Sequence, residues 1–259
     1  MPILRSCFYA LAFVLVCAPQ RGLTSESARV STTSLLTIKG GDFTPLYGTA
    51  KKSVHIDDFQ LDEWPVTNEQ FLVFTEQNPQ WQKTKAKAIF ADTTYLSHWE
   101  NDHQLGRRAL SDGPVVFVSW YAANKYCEAR GMRLPTVNEW EYVASRPIPG
   151  MDIKKVILDW YAIPTPEVMP SVKLGLRNSS GATSMHGLIW EWTLDFNSAM
   201  VTGESRADGS LDKTLFCGSG SSGSADPSDY AAFLRFGMRS SLRANYTIAN
   251  LGFRCAKDL

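Results

Sequence analysis

Residues 114–144 read PVVFVSWYAANKYCEARGMRLPTVNEWEYVA, and three elements can be marked off within them. Val115 to Val118 is a short apolar run, which predicts a buried strand. The segment WYAANKYCEARG predicts a helix closed by Gly131 at the position just past its C-terminus, where a left-handed backbone favours glycine. Pro135 then stops the preceding element. Thr136 caps a second helix with Glu139 three residues on, a reciprocal capping box that places Trp140 and Val143 or Ala144 on the inward face.

Outward from this stretch the signals weaken. Upstream, Thr67 and Gln70 form another capping box, so a helix begins there with Phe71 and Phe74 on its apolar face. Leu35 to Ile38 followed by Gly40 and Gly41 predicts a strand ending in a turn, and Ser53 to Leu61 alternates as a half-buried strand does. Beyond residue 146 helix signals largely vanish. From 175 to 258 the chain is rich in Gly, Ser and Asn with isolated aromatic and Arg residues, which predicts long structured loops on short strands. No internal repeat and no long Pro/Gly/Ser stretch divides residues 35–259, so they are read as one domain.

At the N-terminus, Arg5 precedes an apolar run from Cys7 to Ala18, and polarity returns at Pro19. This predicts a signal peptide over residues 1–22 and a Ser/Thr-rich linker over 23–34. The apolar run is shorter than the roughly twenty residues of a spanning helix, so no stable membrane span is expected after signal removal. The expected location is the periplasm or another exported compartment.

The 259 residues carry 26 Lys+Arg against 26 Asp+Glu, with 44% hydrophobic and 20% charged residues, which excludes a disordered chain. Balanced charge without a basic run removes the electrostatic footprint of a nucleic-acid binder, so no nucleic-acid partner is expected. Eight Trp in a chain that is 12% aromatic suit loops anchored by large rings better than a helical bundle.

The blocks IKGGDF (38–43), DEWPVTNEQFLVF (62–74), residues 114–144, NSSGATSMHGLIWEWT (178–193) and NLGFRCA (250–256) together resemble the formylglycine-generating-enzyme, or sulfatase-modifying-factor, family. The resemblance implies an α+β, C-type-lectin-like fold with low regular secondary structure. It also implies a disulfide between Cys127 and Cys255. The name-giving enzyme oxidises a sulfatase cysteine to formylglycine with copper held by two thiolates; here those two positions fall on Asp226 and Ala231, and no cysteine lies between Gly218 and Arg254. Copper is therefore not expected, because neither residue replaces a soft thiolate. Two further segments, FADTTYLSHW (90–99) and residues 216–255, resemble the NirV-like branch encoded beside copper-containing nitrite reductases in denitrifying bacteria.

In relatives the WEW block is a calcium site, which maps here to Ser184, Gly187, Ile189 and Glu191. Ser184 stands where an Asn or Asp belongs, so calcium binding is weakened; the other role open to Glu191 is pairing with a buried Arg or backbone donors. The family pocket implies Trp190, Ser222, Tyr230, Arg235 and Arg239 as lining residues. Asp226, Asp229 and Cys217 are the candidates for catalytic groups. Arg235 and Arg239 either clamp a partner's carboxylate or carbonyls or tie loops together. Cys217, the odd thiol, is either a redox or copper-binding group or a buried small hydrophobe. His98 and His103 are read as parts of a solvated loop, and His186 as fixing a turn. Two functions compete, with protein-cysteine oxidation to formylglycine by another route as a third. One is an accessory, maturation or binding protein for a polypeptide or metalloenzyme partner such as copper nitrite reductase; the other is an oxidoreductase of altered chemistry in the same pocket.

Overall fold

The computed structural model describes residues 33–45, 53–197 and 230–259. The signal-peptide segment and most of the linker lie outside the described residues, as do Cys217, Ser222, Asp226 and Asp229.

Strand β1 (Leu35–Ile38) leads into β2 (Gly41–Phe43), which pairs antiparallel with β3 (Val54–Ile56). Strand β4 (Phe59–Asp62) pairs with β1 on one side and with β7 (Ala256–Asp258) on the other, giving a three-stranded antiparallel sheet ordered β1-β4-β7. Two expectations change here. Gly41 opens a strand rather than a turn, and residues 53–61 form two strands with different partners instead of one. Alternation along 53–61 reports burial on one face, and it is silent about a switch of partner within the run.

Both capping boxes form. Helix α1 (Asn68–Gln77) starts at Thr67, whose side chain accepts from the Gln70 N–H while the Gln70 side chain accepts from the Thr67 N–H; helix α3 (Val137–Ala144) repeats this with Thr136 and Glu139. Helix α2 (Trp120–Ala129) ends as expected at Gly131, with φ +67°. The Gly131 N–H bonds the Glu128 carbonyl and the Met132 N–H reaches back to Cys127, both at 2.9 Å, so two orphan carbonyls are satisfied.

Val115 to Val118 is buried or nearly so but is not a strand. Val115 N–H bonds Val66, Phe117 N–H bonds Ile248, and the Phe117 carbonyl accepts from Leu96, so the run serves three different segments. Phe117 at φ +52° breaks the extended path. Two helices also appear where signals seemed to fade: α4 (Ile153–Tyr161), capped by Asp152, and α5 (Tyr230–Ser241). A final pair of short strands, β5 (Trp190–Glu191) and β6 (Leu251–Gly252), runs parallel. A side chain at Gly252 would meet the Val115 carbonyl at 2.4 Å, so this close approach requires glycine.

The largest core cluster joins α1, α2 and the C-terminal segment. The ring of Phe71 lies 5.3 Å from Phe74, 5.8 Å from Tyr126 and 6.0 Å from Phe253. Each such fully buried side chain contributes roughly 1.5–3 kcal/mol. The Cys127–Cys255 disulfide bridges α2 to the start of β7 through this core. A second cluster packs Phe59 and Leu61 of β4 against Trp140 and Val143 of α3. Among the described residues no helix is long and apolar enough to cross a membrane.

Candidate functional site

Pairing of Trp190 with Leu251 and Glu191 with Gly252 sets the two faces of the WEW block. Glu191 turns inward, where Arg254 Nε and Nη2 each donate to it at 2.8 Å and the Trp140 indole N–H donates at 2.8 Å. Arg254, wholly buried, gives its remaining donors to the carbonyls of Asp62, Glu63 and Thr183. Of the two roles open to Glu191, the structure shows the arginine pairing. The Ser184 hydroxyl donates to the Val172 carbonyl at 3.3 Å, and Ser184 and Gly187 hold left-handed backbones at φ +59° and +89°. The Glu191 carboxylate thus compensates the buried Arg254 charge.

Trp190 projects the other way. Its ring stacks on Tyr161 at 5.0 Å and 14° and lies 5.3 Å from Trp160, both carried on α4. These rings floor an open cleft of about 660 Å³ whose rim includes Pro164, Pro166 and Pro170, with Leu234 and Met238 of α5 as one wall. Helix α4 escaped the sequence reading although Ile153, Val156, Ile157, Trp160 and Tyr161 recur at helical spacing after an Asp152 cap. That pattern was the available signal for the cleft floor.

Of the expected pocket residues, Trp190 lines this cleft and Tyr230 does not: Tyr230 is 57% exposed at the start of α5, its ring 5.9 Å from Phe233. Arg235 and Arg239 lie behind Trp190, on a cavity of about 10 Å³ that they share with His186 and Glu191. Both hold Glu141 of α3, Arg235 through Nη2 at 2.9 Å and Arg239 through Nη1 at 2.5 Å. Burial alone would raise the Glu141 carboxyl, but the two guanidinium groups outweigh it and hold it well below the usual range. The same surroundings push His186 down to about 4, by burial first and then by the charge of Arg235. His186 lies 3.0 Å from the Ala144 carbonyl and edge-on to Trp140, so it fixes local structure. The arginines thus clamp a carboxylate of their own chain.

His98 departs from the expected solvated loop: it is 7% exposed, whereas His103 is exposed. Tertiary packing against Asn68 and Phe117 buries it, which its polar neighbours in sequence did not signal.

A family model described as "Sulfatase-modifying factor enzyme 1-like domain" matches residues 20–259. The chain belongs to this family. Among relatives of the sulfatase-modifying-factor domain, the formylglycine-generating enzyme of Streptomyces coelicolor is 27% identical over 88% of this chain and 90% of its own length. The inactive C-alpha-formylglycine-generating enzyme 2 of Mus musculus is 26% identical over 55% of this chain and 59% of its own length. The serine/threonine-protein kinase Pkn1 of Chlamydia trachomatis serovar L2 is 29% identical over 88% of this chain, which spans 38% of that kinase's length. The α+β architecture with short strands described above is the family's fold.

Ala231, one of the two positions matched to the family's copper thiolates, is a buried residue of α5, and its methyl group offers a metal no donor. Both cysteines among the described residues are spent in the disulfide. The residues present do not fit the thiolate-held copper of the name-giving enzyme.

Proposed function

We propose that this sulfatase-modifying-factor-like protein is an exported accessory or binding protein that uses the Trp160–Tyr161–Trp190 cleft to engage a polypeptide partner. The observation that carries this reading is the missing sulfur pair: Ala231 is an apolar helix residue, and the chain has no cysteine between Gly218 and Arg254. The cleft itself supports it. An aromatic floor with a proline-bearing rim offers stacking and apolar contact to a partner's side chains. Existence of an inactive relative in the family is in keeping with a scaffold retained without its oxidation chemistry.

The finer part of the proposal names copper nitrite reductase, or its maturation, as the client, on the resemblance of residues 90–99 and 216–255. Its test is co-purification from cells grown under denitrifying conditions. Native protein should retain the reductase, and Ile163→Asp, at a cleft residue that is 66% exposed and so tolerant of change, should lose it. Failure to retain the reductase sinks the finer claim. Stoichiometric copper or iron in the purified protein, with oxidation of a sulfatase peptide, would sink the accessory reading as a whole.

A further inference from the structure

Residues 77–91 read QNPQWQKTKAKAIFA, with three lysines and no acidic residue between Glu76 and Asp92, in a chain whose charges cancel overall. The segment is pinned at both ends. Trp81 and Gln82 are buried, the Trp81 carbonyl accepts from the Tyr95 hydroxyl at 2.9 Å, and Ala91 is buried. Between these anchors lie two hydrogen-bonded turns. The Lys85 and Ala86 N–H groups both reach the Gln82 carbonyl at 3.0 Å, and those of Phe90 and Ala91 reach the Lys87 carbonyl at 2.8 and 3.1 Å. Two closed turns between buried anchors hold the backbone in place, so the loop presents a fixed set of side chains.

What it presents is apolar surface ringed by cations. Lys87, Ala88, Ile89 and Phe90 are all exposed, Ile89 at 71% and Phe90 at 37%. The Phe90 ring leans back on Trp81 at 5.9 Å and on Tyr121 at 5.3 Å, which leaves Ile89 as the most exposed large apolar side chain of the loop. Lys85 and Lys87 are exposed, while Lys83 is bonded to the Trp99 carbonyl. Lys83 and the exposed Arg108 both lie near enough to His98 for their charges to act on it, so the basic character continues onto the neighbouring loop. Two carboxylates adjoin the segment, and both are engaged locally. Asp102 takes the Thr84 N–H at 2.8 Å and the Thr84 hydroxyl at 2.6 Å, and Asp92 takes the Thr94 and Thr247 N–H groups at 3.0 and 3.1 Å.

We propose that this loop docks the protein on the surface of an anionic lipid bilayer. Ile89 enters the boundary between headgroups and acyl chains, with Lys85 and Lys87 at the level of the headgroup phosphates. Two arguments favour a bilayer over a protein surface. A bulky apolar side chain beside exposed cations matches a surface that is negatively charged outside and apolar just beneath. A loop of this length also falls short of the roughly 1,000 Å² that a stable protein interface needs, whereas at a membrane each lysine and each inserted side chain contributes by itself.

Vesicle flotation tests the assignment, with native protein and variants carrying the same N-terminus so that any contribution from residues 1–22 cancels. At about 50 mM NaCl the native protein should bind phosphatidylcholine vesicles containing about 30% phosphatidylglycerol at least about tenfold more tightly than pure phosphatidylcholine vesicles, and about 500 mM NaCl should release most of it. Lys85→Gln with Lys87→Gln should weaken binding about twentyfold, and Ile89→Ser about fivefold. All three positions are exposed, and the urea midpoint of each variant, measured alongside, should stay at the native value. The docking point is overturned if the native protein does not float with the anionic vesicles, if it floats equally with neutral ones, or if the variants float like the native protein. Loss of binding to soluble polyglutamate in the lysine variant, with no vesicle binding by the native protein, would overturn it in favour of an acidic protein partner. Capture of the reductase does not enter this readout, so its failure is separable from failure of the accessory role.

Discussion

Two buried arginine–carboxylate clusters both touch Trp140, one at its indole N–H and one over its ring, and they hold different kinds of structure. Around Glu191, the guanidinium of Arg254 joins β5, the end of β4 and the loop at Thr183, with every donor used. Beside it Asp62 takes Arg130 bidentately at 2.7 and 2.8 Å and the Cys255 N–H at 2.9 Å, next to the disulfide. This cluster sits inside continuous apolar core. Around Glu141 both arginines come from α5, a helix whose other buried residues are only Ala231 and Ala232, and the Arg239 guanidinium lies 4.8 Å from the centre of the Trp140 ring. There, ion pairs to α3 supplement a small apolar contact in seating the helix. The framework should therefore fail as a unit, whereas the α5 wall of the cleft should detach by itself.

The largest expected effect belongs to the framework. Replacing Cys127 and Cys255 together by Ala opens a cross-link spanning 128 residues, for which chain entropy gives about 5 kcal/mol; urea unfolding followed by tryptophan fluorescence should show the midpoint falling with all probes together. Next is Arg254→Met, which strands the Glu191 carboxylate in the core and should cost about 3–5 kcal/mol, again globally. A midpoint within experimental error of the native protein would mean that the cluster is ornamental.

Glu141→Gln should cost less, about 2–3 kcal/mol, and should act locally. Amide exchange over residues 230–241 should accelerate while α1 and α2 keep their protection. Uniform loss of protection, or none, would erase the distinction between the two clusters. Acid provides the smallest and most specific perturbation. Because folding lowers the Glu141 pKa, the clamp's contribution is complete above the ordinary value of 4.5 and drains away as pH falls beneath it. Protection of α5 should thus decline below about pH 4.5 in the native protein, and this pH dependence should be absent from Glu141→Gln.

Much of the framework was legible in the chain. Thr67 with Gln70 and Thr136 with Glu139 announced their helices because each cap is satisfied within three residues. The Cys127–Cys255 pairing followed from family resemblance, and it is present. Less of the cleft could be read. Helix α4 did carry a period-3.6 pattern, and α5 carries apolar residues too, but Gly237 interrupts it and it lies in a Gly-, Ser- and Asn-rich stretch that reads as loop. For Glu191 both roles stayed open, since spacing cannot tell whether a carboxylate will meet a cation or an arginine. His98 looked solvated among Trp, Glu, Asn and Asp, and only the fold brings Asn68 and Phe117 around it.

The amino-acid order alone determined the caps, the Gly131 helix ending, the aromatic core former at Phe71 and the absence of a sulfur pair, because each depends on residue type or on neighbours a few positions away. The partners of Glu191, Glu141 and Asp62 were decided by tertiary structure, across separations of 63, 94 and 193 residues. A buried charge takes whichever compensating group the packed chain delivers within about 3 Å, and that delivery is a property of the whole fold rather than of any local pattern.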